Sequence, residues 1–96
     1  LMFNGMVNVV LVLDSNQKLA STPSVSSRGV FNGDEKSYAL LLANEVEAAF
    51  NLLPKGSRND EKELREVARL AVRREISANH EIRPDISVDL VQLKGV

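Results

Sequence analysis

The 96-residue sequence contains no cysteine, a single histidine, and few aromatic residues, namely three phenylalanines and one tyrosine. The missing cysteines exclude disulfides, thiolate zinc sites and cysteine nucleophiles within the chain. The scarcity of aromatic residues requires an aliphatic core. A formal net charge of −1 argues against a dedicated nucleic-acid clamp, which is normally strongly basic.

Long apolar runs are missing too. The longest, Val9–Leu13, is strand-sized, whereas a membrane span needs roughly 18 residues. No basic region or small-residue cleavage site of a signal peptide is visible. The hydrophobic fraction of 44% and the charged fraction of 26% are typical of a packed globular domain. Because the chain opens Leu1-Met2, we expect a fragment of a longer protein, with one domain over residues 5–93 and a linker or cloning remnant over residues 1–4.

The apolar patterns predict three strands. Residues 6–13 are rich in β-branched residues and apolar on both faces, which is typical of a central strand. A short antiparallel partner is expected at residues 18–21, with Pro23 at a strand end because proline cannot donate to a ladder. Apolar residues then alternate with polar ones over residues 86–91, which predicts a half-buried last strand.

Two helices are predicted between the second and third strands. The first should run from about Glu35 to Leu53, capped by Asn32 or Asp34. The second should run from a capping box at Asp60 to about residue 78. Their apolar stripes at helical spacing are Ala39, Leu42, Ala43, Val46, Ala49, Phe50 and Leu53 in the first, and Leu64, Val67, Ala68, Ala71, Val72 and Ile76 in the second.

The fold class is therefore α+β, a small three-stranded mixed sheet with two helices on one face, in the order ββααβ. If the helices form an antiparallel hairpin, the last strand can lie beside the first and parallel to it. We see no internal repeat and no second domain.

Three interpretations exist for the stretch STPSVSSRGVF, residues 21–31. A catalytic serine is disfavoured, because the GxSxG pattern is absent and the sole histidine, His80, has no partner pattern around it. The serine hydroxyls and Arg28 could hold a phosphate. The favoured interpretation is structural: Gly29 supplies a special backbone angle, the serines bond to a turn, and Arg28 ties the connection to a carboxylate or carbonyl. His80 itself fits a solvated helix end better than a metal site.

The second helix carries a basic ridge, which we define as Lys62, Arg65, Arg69 and Arg73. These side chains fall within roughly 80° of one another at helical spacing. The ridge could contact RNA phosphates. It could equally be a solvated face in which Glu61–Arg65 and Glu66–Arg69 form ion pairs, and we favour this second interpretation.

Together these motifs resemble the C-terminal domain of bacterial ribonuclease J, from about residue 5 to residue 93. The resemblance rests on a valine-rich strand, an acidic turn, P-x-V-x-SRG-V, two helices, and R-P-x-I before a last strand. Its signature residues are Pro23, Ser27, Arg28 and Gly29, then Arg73-Arg74 and Arg83-Pro84. In the family the Ser-Arg-Gly segment lies between the second strand and the first helix. Val30 departs from the phenylalanine usual there, and residues 77–81 lack the family's aromatic and basic character.

The resemblance implies a cytoplasmic parent enzyme of the metallo-β-lactamase and β-CASP type, which degrades RNA from the 5′ end and cuts it internally with zinc. No catalytic residue, metal ligand or cofactor of that machinery is expected in this fragment. The implied role is accessory: packing against the catalytic domains, supporting a homodimer or homotetramer, and helping RNA processing. The alternative is an RNA-binding module that uses the basic ridge, and an independent small enzyme is disfavoured.

One surface follows from the predicted fold itself. Two helices can cover one face of a three-stranded sheet, so Val10, Val12 and Val91 should form an uncovered apolar patch on the other face. Contiguous apolar patches mark contact sites. We therefore expect a protein–protein contact there, with a second copy or with the catalytic domains.

Overall fold

A computed structural model of the chain describes residues 5–30, 35–54, 56, 60–79 and 81–94. Its elements are β1 (Met6–Leu13), β2 (Ser24–Arg28), α1 (Glu35–Asn51), α2 (Glu61–Asn79) and β3 (Asp85–Gln92). The strands form one sheet in the order β2-β1-β3, with β2 antiparallel and β3 parallel to β1. The predicted fold class, the central first strand and the parallel last strand are confirmed.

The helices pack on one face of this sheet, which we call the inner face. All four inner residues of β1 are buried, and they meet the buried stripes of both helices. The core comprises Val7, Val9, Leu11 and Leu13 of β1, Leu42, Ala43, Val46 and Phe50 of α1, and Leu64, Ala68, Ala71, Val72 and Ile76 of α2. The core is thus aliphatic apart from one phenylalanine, and both predicted helix stripes are confirmed.

The prediction for the second strand was wrong. Residues 18–21 form only an isolated bridge, Leu13 to Leu19, and the continuous strand is β2 at Ser24–Arg28. Between Leu19 and Ser24 the chain advances five residues while its partner strand advances three, from Leu13 to Val10. Two extra residues therefore interrupt the ladder, which resumes after Pro23, a residue without a backbone donor.

The helix boundaries follow local hydrogen bonding. Asp60 caps α2, because its Oδ1 accepts a hydrogen bond of 3.0 Å from the backbone N–H of Lys62. The first helix ends at Asn51, two residues earlier than predicted, and two i to i−3 bonds at Leu52 and Leu53 close its last turn. The predicted caps of α1, Asn32 and Asp34, lie outside the described residues.

Candidate functional site

The Ser-Arg-Gly segment belongs to a strand end, not to a free connection. Ser27 and Arg28 are the last two residues of β2, so the placement expected between the second strand and the first helix was wrong for them. Gly29 follows with φ +65°, the left-handed conformation predicted for it. The burial of side chains alternates along β2. Ser24 and Ser26 are exposed, whereas Val25 and Ser27 are half-buried on the inner face.

A second glycine, Gly5, lies at the same corner, directly before β1. Gly5 has φ +88°, and a Cβ built on it would lie 2.3 Å from the carbonyl oxygen of Arg28. The start of β1 and the end of β2 therefore pass so closely that only glycine fits there. The Gly5 carbonyl also accepts a hydrogen bond of 3.0 Å from the backbone N–H of Asp85, which joins the corner to β3.

The signature residues Arg73 and Pro84 lie at the other edge of the sheet, where the chain enters β3. Pro84 is buried just before β3, and its carbonyl oxygen accepts a 3.0 Å hydrogen bond from Nη2 of Arg73. Burial, with the nearby charges of Arg83 and Arg69, lowers the pKa of the Arg73 guanidinium from its usual value. Arg73 therefore joins α2 to the chain entering β3.

The other members of the basic ridge line a groove between α2 and β3. The groove has a volume of about 620 Å³, and Lys62, Arg65 and Arg69 share its walls with acidic residues above a floor of Ile86 and Val88. Arg69 forms an ion pair with Glu66, with Nε donating to Oε1 at 3.0 Å. This hydrogen bond lowers the pKa of Glu66 and raises the pKa of Arg69. The predicted Glu66–Arg69 pair is confirmed.

The face of the sheet opposite the helices, which we call the outer face, carries alternate side chains of all three strands. From β1 it carries Met6, Asn8, Val10 and Val12, from β2 Ser24, Ser26 and Arg28, and from β3 Asp85, Ser87, Asp89 and Val91. Val12 lies beside Val91 in the parallel ladder. Met6 and Val91 are 42% and 43% exposed.

Polar groups lie next to the three adjoining valines of this face, Val10, Val12 and Val91, which we call the apolar stripe. Asn8 donates from Nδ2 to Oγ of Ser87 at 2.8 Å and to Oδ2 of Asp89 at 3.1 Å. A shallow pocket of about 270 Å³ near the β2 side is lined by Met6, Asn8, Ser26, Ser27 and Arg28. The outer face therefore carries a basic corner at Arg28 on the β2 side and acidic residues on β3, with Asn8 separating Met6 from Val10 along β1.

The described part of the chain shows no metal centre. Its residues contain no group of three or more histidine, cysteine, aspartate or glutamate side chains placed to hold a metal ion. His80 lies outside the described residues, so its predicted place at a helix end stays a prediction. Neither described helix is long and apolar enough to cross a bilayer.

Comparison with known proteins gives a match over nearly the whole chain. The family model described as the ribonuclease J C-terminal domain matches residues 1–93. No curated protein matches the sequence significantly.

Proposed function

Because the chain belongs to the ribonuclease J C-terminal domain family, we propose that it is the assembly domain of an RNA-degrading enzyme and works through the outer face of its sheet. The family supports an accessory role beside catalytic domains that act on RNA. The finer elements remain our proposal: a zinc-dependent parent with 5′-to-3′ exonuclease and endonuclease activity, joined into a homodimer or homotetramer.

The observation that carries the proposal is the apolar stripe on the outer face. The core is complete without it, since the buried residues of β1 all lie on the inner face. Yet the outer face retains Val10 and Val12 beside a 43% exposed Val91. No lysine or glutamate of β1 guards this face against association. A contiguous apolar surface of this kind is typical of a contact site.

The experiment is sedimentation equilibrium of the chain and of the full-length enzyme carrying Val91→Lys. Its matched control is Leu70→Lys, which places the same charge at a 42% exposed apolar residue of α2. We expect Val91→Lys to shift the distribution toward smaller species and Leu70→Lys to leave it unchanged. Equal distributions for both variants and the parent would show that the outer face is not the assembly contact.

The alternative function, RNA binding through the basic ridge, has weaker support. Two of its four cations already have intramolecular partners, because Arg69 pairs with Glu66 and Arg73 donates to Pro84. Electrostatic RNA binding would appear as an affinity that falls steeply with salt concentration. A gel-shift series with Lys62→Gln and Arg65→Gln tests it: unchanged weak binding in both variants would remove the ridge from consideration.

A further inference from the structure

We propose that the free edge of β3 and the groove beside it bind an extended peptide segment that alternates apolar and basic side chains, and that this segment adds a further strand to the sheet. The inference goes beyond the proposed function, because it uses the edge of the sheet and the groove under α2 instead of the apolar stripe. Its evidence is an unpaired backbone edge, an apolar groove floor beside that edge, and two aspartates on the outer face.

The strand β3 is paired on one side only. The order β2-β1-β3 places it at an edge of the sheet, and its ladder with β1 runs without interruption from Asp85 to Gln92. The backbone N–H of Asp85 donates to the Gly5 carbonyl at 3.0 Å. At the far end the N–H of Leu93 donates to the Leu13 carbonyl at 2.9 Å. Because backbone groups alternate in direction along a strand, the odd-numbered residues of β3 bond to β1 and the even-numbered ones face the free edge.

The free edge begins at Ile86. The carbonyl of Pro84, which points outward by the same alternation, already accepts the hydrogen bond from Arg73. The outward N–H and C=O groups of Ile86, Val88 and Leu90 have no hydrogen-bond partner among the residues that the structure describes. Each of these three residues therefore offers a donor and an acceptor to a strand laid beside β3.

The usual protections against strand addition are missing from β3. Edge strands are commonly guarded by lysine, proline or a β-bulge. The strand reads DISVDLVQ, without lysine or proline, and its register with β1 contains no bulge. Its only charged side chains are Asp85 and Asp89, both on the outer face. The edge can therefore accept a strand whose outer-facing side chains are not acidic.

The groove between α2 and β3 gives the inner-facing side chains of such a strand a place to pack. Its floor is Ile86 and Val88, which are half-buried and are two of the residues with outward backbone groups. Lys62 and Arg65 line its α2 side. The aliphatic parts of these two side chains can cover an apolar guest residue while their charges stay in water. The residues of the guest strand that face the groove should therefore be apolar.

The outer face determines the chemistry of the other alternate residues. Asp85 and Asp89 would lie beside the outer-facing side chains of the guest strand, where opposite charges are favourable and like charges unfavourable. A second copy of β3 would bring two more aspartates and no cation to this edge, which disfavours self-pairing. A guest with lysine or arginine at these alternate positions complements the aspartates.

Fluorescence anisotropy of the 96-residue chain with labelled peptides tests the proposal. The probe alternates lysine and valine over about seven residues, a common strand length, and its charge control has glutamate in place of lysine. We expect the lysine peptide to bind about tenfold more tightly than the glutamate peptide at low salt, since two cross-strand charge pairs contribute roughly threefold each. Two further peptides carry N-methyl groups on the valine amides or on the lysine amides. One set of amides faces β3, so methylation of that set alone should abolish binding.

Amide hydrogen exchange reports on the edge itself. When the lysine peptide binds, exchange should slow at Ile86, Val88 and Leu90 and change little at Ser87 and Asp89, which already bond to β1. Val88→Pro removes an outward N–H without removing a bond to β1, and proline is tolerated at such edge positions. Circular dichroism should show that this variant is folded, and its affinity for the lysine peptide should fall about tenfold.

Asp89→Lys should remove the preference for the lysine peptide, because Asp85 is then opposed by a cation on the same strand. No binding of the lysine peptide at millimolar concentration, binding by both N-methylated peptides, or uniform protection along β3 overturns the proposal. A uridine oligonucleotide whose binding is weakened by Arg65→Gln and not by Val88→Pro would assign the groove to RNA and would overturn it too. The sedimentation of Val91→Lys tests the outer face separately, so failure here leaves the proposed function standing.

Discussion

Three consecutive leucines of α1 give the sharpest stability prediction, because they differ in burial and in little else. Leu40 is 60% exposed, Leu41 is 44% exposed and Leu42 is 0% exposed. Each is a leucine in the middle of the same helix, so replacement by alanine changes helix propensity equally at all three positions. Differences among the three variants therefore report the packing of the side chain alone.

The magnitudes follow from this burial. Leu42 packs in the core with residues of β1 and α2, so Leu42→Ala should cost about 2–5 kcal/mol through lost burial and the cavity left behind. Leu40→Ala should change the free energy of unfolding by no more than about 0.5 kcal/mol, as surface substitutions usually do. Leu41→Ala should fall between them. A domain of this size is typically stable by roughly 5–14 kcal/mol, so the loss at Leu42 is a large fraction of the total.

Urea denaturation followed by circular dichroism measures all three variants. The midpoint should fall strongly for Leu42→Ala at an unchanged slope, while the Leu40→Ala midpoint stays near that of the parent. Val46→Ala, one turn further along the same buried stripe, should also destabilise the domain. Equal midpoints for Leu40→Ala and Leu42→Ala would refute the assigned inner face of α1.

The remaining predictions concern the corner, the ion pair and metal binding. Gly5→Ala should destabilise the chain strongly, because its Cβ would approach a backbone oxygen to 2.3 Å, whereas Gly56→Ala, with no atom within 4 Å, should be tolerated in thermal unfolding. Glu66 should titrate by NMR below the ordinary glutamate pKa, and Arg69→Gln should restore the ordinary value. The pair's small contribution to the free energy of unfolding is present above the unfolded-state pKa of Glu66 and is lost as pH falls through its lowered folded-state pKa. The chain should retain no stoichiometric zinc after dialysis and should not cleave RNA, because it has no cysteine and one histidine; chelator-sensitive cleavage would contradict this.

Elements with strong periodicity could be predicted from the sequence. The stripes of α1 and α2 and the alternation of β3 are each long enough to define one buried face, and the aspartate at residue 60 marks the start of α2. The second strand could not be placed, because three of the five residues in Ser24–Arg28 are serines, which are common in turns. Its strand conformation depends on pairing with β1, a long-range contact that local propensity does not encode.

The sequence likewise predicts some features of the outer face and of the basic ridge and not others. The uncovered Val10, Val12 and Val91 could be anticipated from alternation plus the count of helices. The placement of Arg28 and Asp85 on either side of Met6 could not, because it depends on the register of both ladders. Helical spacing predicts the basic ridge, but the hydrogen bond from Arg73 to the Pro84 carbonyl depends on the tertiary structure.

The most direct test of assembly through the outer face is sedimentation equilibrium of the full-length enzyme with Val12→Lys, compared with Leu70→Lys and the parent. Val12 pairs with Val91 in the ladder, so a lysine there places a charge between Val10 and Val91. We expect smaller species for Val12→Lys, with the folded structure retained, and unchanged species for Leu70→Lys. An unchanged distribution for Val12→Lys at every concentration, with RNA cleavage intact, would contradict assembly through this face.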